Sequence, residues 1–459
     1  MKNTWETLEG IVNSYTKELS DFTIASAASA EVIRTSLKKY DFSKPQNLTT
    51  LMDEVHALFS KWSLHSSQPG YLGLFVPATT EASIVADALV ALYNPQLAVW
   101  SHAPIANEIE QHVLRYLTEK IGYTDKGTFS NFTTGGSEAN HTALLVALAK
   151  LNPAYVEGGV TAFEKRPTVY ISSAGHNSFD KVVKNIGIGL HSLRKIGINE
   201  TLEMDLGLLE DQIKQDIAQG LRPAILIGTA GTTASGAIDP LPELASLAKK
   251  YDMWFHVDAA WAGAAVLSST LRPYLKGIES SDSVTMDAHK WFSVSMGAGM
   301  FFTRHTEAVQ TAFNIPAVYM PSHLQTEPYT TTLQWSRRCI GLKLFMTLAE
   351  KGEKALAEQI EYQCQLTDYL KARLTSHGWR IINDSKVGVL NFTLTSSLDG
   401  QISIDAIQKQ LEVEGEFWLS IVPLLNHGKV LRACVTSMHT KEAHIDKLVE
   451  RLNRFHHNS

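Results

Sequence analysis

Apolar positions recur along this chain with two different periods. Near the start, Trp5, Leu8, Val12 and Tyr15 share one side of a 3.6-residue helix, so residues 4 to 20 read as an amphipathic helix whose apolar face needs a partner surface. Further on the pattern changes to short apolar runs: Thr168–Ser173, Ala224–Ala230, the run from Phe255 to Ala260, Ser283–Met286 and Gly299–Thr303. A helical stretch, His141–Ala149, lies ahead of them, and others separate them. Strand and helix alternating over short connections predict a mostly parallel sheet with helices on both faces. Between Asn314 and Thr332 the periodicity fails, and a long irregular stretch in a compact protein is functional or disordered. Beyond about 355, Trp379–Ile382, Val389–Leu394 and Val430–Val435 read as short strands, and Ile404–Leu411 and His444–Phe455 as helices. The expected organisation is an N-terminal helical segment, 1–64, a large α/β domain, 65–335, and a small C-terminal α/β domain, 336–459.

Composition narrows the class. A chain of 459 residues is too long for one core. The net charge of −6, with no basic stripe, argues against nucleic acid as a partner. Cys339, Cys364 and Cys434 are scattered without CxxC or Cys/His spacing, so neither a disulfide framework nor a structural metal is expected, and a reducing compartment fits. The first residues lack the apolar core of a signal peptide, and no apolar run is long enough to span a bilayer. A cytoplasmic protein is expected.

Two strands end in ionisable groups. The run His256-Val257-Asp258-Ala259-Ala260 stops at an acid and two small residues, and Met286-Asp287-Ala288-His289-Lys290-Trp291-Phe292 places a His-Lys pair between hydrophobic neighbours. Strand ends are where open α/β sheets carry their sites, and unpaired buried charge is costly. Asp258 and Lys290 therefore either pair with each other or hold something between them. Lysine is the usual Schiff-base former, and pyridoxal phosphate needs a lysine for its aldehyde and an acid for its ring nitrogen. A metal hydrolase built on His256, Asp258 and His289 is an alternative of another class. Gly135-Gly136-Ser137 before a helix is a simple turn or a phosphate cradle.

In this order, His256-Val257-Asp258-Ala259-Ala260-Trp261-Ala262-Gly263 and Asp287-Ala288-His289-Lys290-Trp291 resemble the group II PLP-dependent amino acid decarboxylases, which act on aromatic amino acids, glutamate, cysteine sulfinate or diaminobutyrate. The resemblance runs over roughly residues 65 to 440. It implies PLP fold type I, with the large domain binding pyridoxal 5'-phosphate. It also implies a homodimer with its active site at the subunit interface and the N-terminal helices laid over the partner. Lys290 would form the Schiff base, Asp258 would face the ring nitrogen, and Gly136 and Ser137 would hold the phosphate, with His289 on that side. His176 would stack on the ring, Thr233 would bond its polar edge, and Ala260 belongs with these cofactor contacts.

For the substrate, an L-amino acid, the resemblance implies Phe75 and Trp100 in the pocket wall and Arg432 at the α-carboxylate. Taken alone, each is equally a packed aromatic or a structural ion-pair partner. Tyr319, on the irregular stretch, stands where relatives place a catalytic tyrosine, with Tyr329 as the alternative. The paired Arg337 and Arg338 are either solvated or near the partner subunit's phosphate. The reaction implied is loss of CO2 to leave an amine. An aldehyde synthase or aminotransferase keeps the same cofactor, and a non-catalytic PLP-fold protein is a further alternative. Trp261 stands where many aromatic decarboxylases have tyrosine, and Asp287 replaces an asparagine, so phosphate binding is not carried to it. These departures leave the substrate open.

Overall fold

The computed structural model describes residues 3–25, 28–124, 126–315, 327–394, 403–424 and 427–457. The chain divides into two compact units, Thr79–Cys364 with Asn383–Val389, and Met1–Ala78 with Gln365–Ile382 and Leu390–Ser459.

The first unit holds a seven-stranded sheet: β1 Phe129–Thr133, β2 Pro167–Ser172, β3 Leu193–Ile196, β4 Arg222–Thr229, β5 Trp254–Asp258, β6 Ser283–Asp287 and β7 Gly299–Thr303. Their spatial order is β1-β7-β6-β5-β4-β2-β3. Neighbours from β6 to β3 pair in parallel, and β7 alone runs against both of its neighbours. The expected mostly parallel α/β sheet is therefore present. β5, β6 and β7 are buried along their whole length, which is why their sequences are near-continuous apolar runs. Val146, Phe179, Ile225, Trp254 and Phe301 share one core on this sheet. β3 escaped the sequence reading because its Arg194 and Lys195 break the apolar run at a sheet edge.

This topology sends the carboxyl ends of β1, β2, β4, β5 and β6 to one edge. Thr133 and Asp287 both lie opposite Gly299, Asp258 lies opposite Thr285, and Thr229 lies opposite Asp258. Whatever follows these strands collects there, as the switch-point rule for open sheets requires.

The second unit carries a four-stranded sheet of β8 Arg380–Ile381, β9 Val389–Thr393, β10 Ser420–Leu424 and β11 Gly428–Cys434, in the order β10-β11-β9-β8. Leu390, Phe392, Leu431 and Leu448 lie in its core. The segment around Gly70–Phe75 belongs here. Leu72 N–H donates to Trp418 O at 3.0 Å, Cys434 N–H donates to Leu72 O at 2.6 Å, and Tyr71 stacks on Trp418. The boundaries at 64 and 335 thus differ from the compact division, because the segment before residue 79 pairs with residues some 350 positions later. The first helix spans Thr4–Lys17. Tyr15 packs against Phe22 and His65, but Trp5, Leu8 and Val12 remain 69%, 41% and 43% exposed.

Candidate active site

β5 delivers Asp258 almost fully buried. Its Oδ1 accepts from Ala260 N–H at 3.1 Å and its Oδ2 from the Asn140 side-chain amide at 3.1 Å. Asn140 sits one turn into the helix Gly136–Leu151, and its Oδ1 lies 3.1 Å from His256 Nε2. His256 Nδ1 lies 2.8 Å from Ser283 Oγ. Burial pushes His256 down to about 4, overriding the opposing pull of Asp258 and the Ser283 backbone, so the ring is neutral at pH 7.

β6 delivers Asp287, His289 and Lys290. Lys290 Nζ is 3.0 Å from Asp287 Oδ2. Asp287 Oδ1 is buried and has no hydrogen-bond partner among the described residues. His289 Nε2 is 3.8 Å from Asp287 Oδ2, and its Nδ1 is 3.1 Å from Ala298 O; burial lowers its pKa. The two strand ends are tied together, since Asp287 N–H donates to Ala260 O at 3.2 Å and Ala259 N–H to Thr285 O at 2.9 Å. Asp258 and Asp287, the last residues of neighbouring strands, therefore both bond Ala260, and Lys290 follows Asp287 in the next turn.

β1 leads into Gly135 and Gly136, where a sixteen-residue helix starts without a side-chain cap. A methyl group on Gly136 would lie 2.8 Å from Asp287 Oδ2 and 3.3 Å from Ala260 Cβ, and one on Gly135 would lie 3.6 Å from the His289 ring. At position 136 only glycine lets the helix N-terminus come this close to the Asp287 carboxylate. Unpaired N–H groups and the positive end of the helix dipole suit an anion. An anion-binding helix start, an amine beside a partly orphaned carboxylate and a buried acceptor-only acid fit the phosphate, aldehyde and ring nitrogen of pyridoxal phosphate.

The other expected residues spread along this edge or lie elsewhere. Ser137 is exposed at the helix start. His176 is exposed in the turn after β2, where its Nδ1 accepts from Ser178 N–H at 3.1 Å, leaving the proton on Nε2. Thr233 is exposed in the turn after β4, while the adjacent Thr232 is buried and bonds Ser235. Asp239, just ahead of the helix Leu241–Lys250, is buried and accepts from Thr229 N–H and Met204 N–H at 2.8 Å each. Trp100 donates its indole N–H to Glu108 at 3.0 Å. Phe75 and Arg432 belong to the other unit. There the guanidinium lies 5.3 Å from the Phe75 ring centroid and donates to Gly73 O at 2.7 Å and Ser420 Oγ at 2.9 Å.

Tyr319 lies outside the described residues. Tyr329 is buried beside Ala98 and Val99, with its ring 4.7 Å from Trp335. Arg337 is not solvated: it pairs with Glu110 in the interior at 2.5 Å, and the other Glu110 oxygen accepts from Ile340 and Gly341 N–H. The hydrolase alternative has no geometry behind it. His256 commits its nitrogens to Ser283 and Asn140, and no metal-holding group of three appears among the described residues. Asn140, Ser283 and the Asp287–Lys290 pair were not singled out from sequence. Asn140 was the most accessible of these, as an amide four residues past Gly136 at the head of an apolar helix.

Comparison with known proteins shows the family. Residues 33–395 match the family model described as the pyridoxal-dependent decarboxylase conserved domain. An L-2,4-diaminobutyrate decarboxylase of Acinetobacter baumannii is 34% identical over 336 residues, a match that spans 69% of this chain and 66% of that relative. An aromatic-L-amino-acid decarboxylase of Bacillus atrophaeus is 28% identical over 421 residues, spanning 88% and 84%. Among solved structures, Oryza sativa TDC with PLP and tryptamine superposes with a TM-score of 0.91 at 21% identity, covering 98% of this chain and 97% of that one. Mouse CSAD in apo form gives 0.90 at 22% identity, covering 98% of each chain. Likeness at this identity speaks for the fold, which is the expected fold type I.

Proposed function

Because this chain belongs to the pyridoxal-dependent decarboxylase family and takes pyridoxal phosphate as cofactor, we propose that it releases CO2 from an L-amino acid and leaves the corresponding amine, working through a covalent link to Lys290. The observation that carries this reading is that the neighbouring strands β5 and β6 end in Asp258 and in the Asp287–Lys290 pair, and that Asp287 packs on a helix start which only glycine at 136 could bring so near.

Bound there, the cofactor supplies an electron sink for the pair left on Cα when CO2 departs. The remaining work falls to the chain. Lys290 Nζ would take the cofactor's aldehyde, and Asp287 Oδ2, 3.0 Å away, orients that amine. The N–H groups of Gly136 and Ser137 hold the phosphate, with His289 beside it. Asp258 holds a proton on the ring nitrogen, since a close carboxylate favours the cationic form. His176 would stack on the ring, and Thr233 would bond its polar edge. Arg432 holds the α-carboxylate, where a guanidinium can bond both oxygens. Phe75 and Trp100 line the side-chain pocket, and Tyr319 returns a proton to Cα.

The same reading makes the enzyme a cytoplasmic homodimer. The exposed Trp5, Leu8 and Val12 on the first helix form an apolar face that a second copy would cover. The experiment that tests the proposal is an amine-release screen of the PLP-loaded protein over aspartate, glutamate, diaminobutyrate and the aromatic amino acids, run beside Lys290→Ala. Wild type is expected to show the visible absorbance of lysine-bound cofactor and to release one amine. Lys290→Ala should lose both. Retention of that absorbance in the variant would sink the assignment.

A further inference from the structure

Behind Asp258 runs a line of buried polar groups that reaches from the carboxyl end of β5 to its beginning. Trp254 Nε1 lies 2.9 Å from Ser283 Oγ, which lies 2.8 Å from His256 Nδ1. His256 Nε2 lies 3.1 Å from Asn140 Oδ1 and 3.5 Å from Thr285 Oγ1, and Asn140 Nδ2 lies 3.1 Å from Asp258 Oδ2. All six residues are buried. Buried polar atoms must satisfy one another, so the direction of each bond constrains the next.

The two ends of the line set that direction. An indole N–H only donates, so Trp254 gives its hydrogen to Ser283 Oγ. The serine oxygen has a second lone pair, but a proton on His256 Nδ1 would make Nε2 the acceptor and turn the Asn140 carbonyl oxygen onto the Asp258 carboxylate, so the serine hydrogen goes to His256 Nδ1. A neutral imidazole that accepts at Nδ1 carries its proton at Nε2 and donates to the Asn140 carbonyl oxygen. The Asn140 amide nitrogen is thereby turned to Asp258, which must accept. Reversing the line would need a protonated Asp258 donating to Asn140, and would leave the Ser283 hydrogen without its partner. Burial of His256 keeps the ring neutral, as this order requires.

We propose that Asn140, His256 and Ser283 are positioning residues, forming a one-way hydrogen-bond relay that keeps Asp258 an acceptor aimed at the ring nitrogen of the cofactor. Asp258 then offers its remaining lone pairs outward while its protein-facing side is filled by Asn140 and Ala260 N–H. The inference rests on the reading that Asp258 faces that nitrogen. It adds that the residues fixing its protonation reach back along β5 to His256, across to Ser283 on β6 and out to Asn140 on the helix Gly136–Leu151.

The test uses full-length protein loaded with pyridoxal phosphate labelled with 15N in the ring. It reads the 15N shift of the bound cofactor and its dissociation constant, with the thermal midpoint of each apo-protein as a check on folding. Asn140→Leu and Ser283→Ala are compared with wild type, and Asp258→Asn serves as the reference. Asn140→Leu is expected to move the shift toward the neutral-ring value and to weaken binding roughly tenfold, the worth of one hydrogen bond to a charged acceptor. Ser283→Ala should shift the signal the same way by a smaller amount, and it carries the test if Asn140→Leu does not fold. Asn140→Gln should restore part of the shift. If Asp258→Asn moves shift and affinity while folded Asn140→Leu and Ser283→Ala leave both at wild-type values, the relay is wrong and the site reading survives. If Asp258→Asn itself changes neither, the site reading fails and the relay with it.

Discussion

Lys290 Nζ lies 3.0 Å from Asp287 Oδ2, three residues earlier in the same turn, and that same oxygen would lie 2.8 Å from a methyl group on Gly136. One carboxylate thus touches both the amine and the helix start. Gly136→Ala must push Asp287 off its place while narrowing the approach to the helix N–H groups. Alanine also favours a helix by about 1 kcal/mol over glycine, so folding should suffer little. Pyridoxal phosphate should bind at least roughly tenfold more weakly, as loss of a hydrogen bond to a charged group predicts. Equilibrium dialysis against the cofactor measures this. Unchanged affinity would place the phosphate elsewhere.

Asp258→Asn keeps the shape of the side chain and removes its charge. The amide can still accept from Ala260 N–H, but it no longer favours a proton on the ring nitrogen. Since the electron sink depends on that proton, the turnover number should fall by about 10²–10³, the range for removal of one preorganised electrostatic group. Steady-state amine release on the substrate found by screening gives the number. A drop confined to KM would mean that Asp258 acts on substrate binding instead.

Glu110 makes a contrasting case. It is buried, pairs with Arg337 and accepts from Ile340 and Gly341 N–H, a structural clamp within its unit. Glu110→Ala leaves a buried guanidinium without its carboxylate and should cost about 3–5 kcal/mol. Urea titration of the holoprotein reads this loss. The protein that remains folded at low temperature should bind cofactor as wild type does, because Glu110 belongs to none of the strand ends at the site.

Much of this arrangement could be read before any coordinates. Asp258 and Lys290 are conspicuous because each ends an apolar strand where a charge has no local reason to be, and strand order then brings them together. Asn140 was hidden because its reason is not local. Its partners, Asp258 and His256, lie more than a hundred positions away, so its spacing in the helix carries no sign of them. Asp287 was legible only as a residue type; its bond to Lys290 depends on the turn after β6. The pairing of the segment around residue 72 was hidden for the same cause as Asn140. Leu72 pairs with Trp418 and Cys434, and no periodicity near residue 72 announces partners so distant.

The buried His256 also makes a prediction about acid. Its pKa in the fold is about 4, against 6.5 in an open chain, with desolvation as the main cause. The unfolded chain therefore takes up a proton at this site below pH 6.5, while the folded chain does so only near pH 4. Between those values the unfolded state binds more protons, so stability falls as pH falls. The full contribution is present above pH 6.5 and lost by about pH 4, and a shift of this size is worth about 3 kcal/mol. Asp239 titrates in an overlapping range with the opposite sign, because burial raises its pKa to about 6 and favours its protonated form in the fold. The single-residue term is therefore isolated by difference. His256→Gln cannot take up the proton, so its stability should decline less steeply than that of wild type between pH 6.5 and 4. Urea midpoints collected on both proteins across that range would give parallel curves only if His256 were solvated or already charged in the native state.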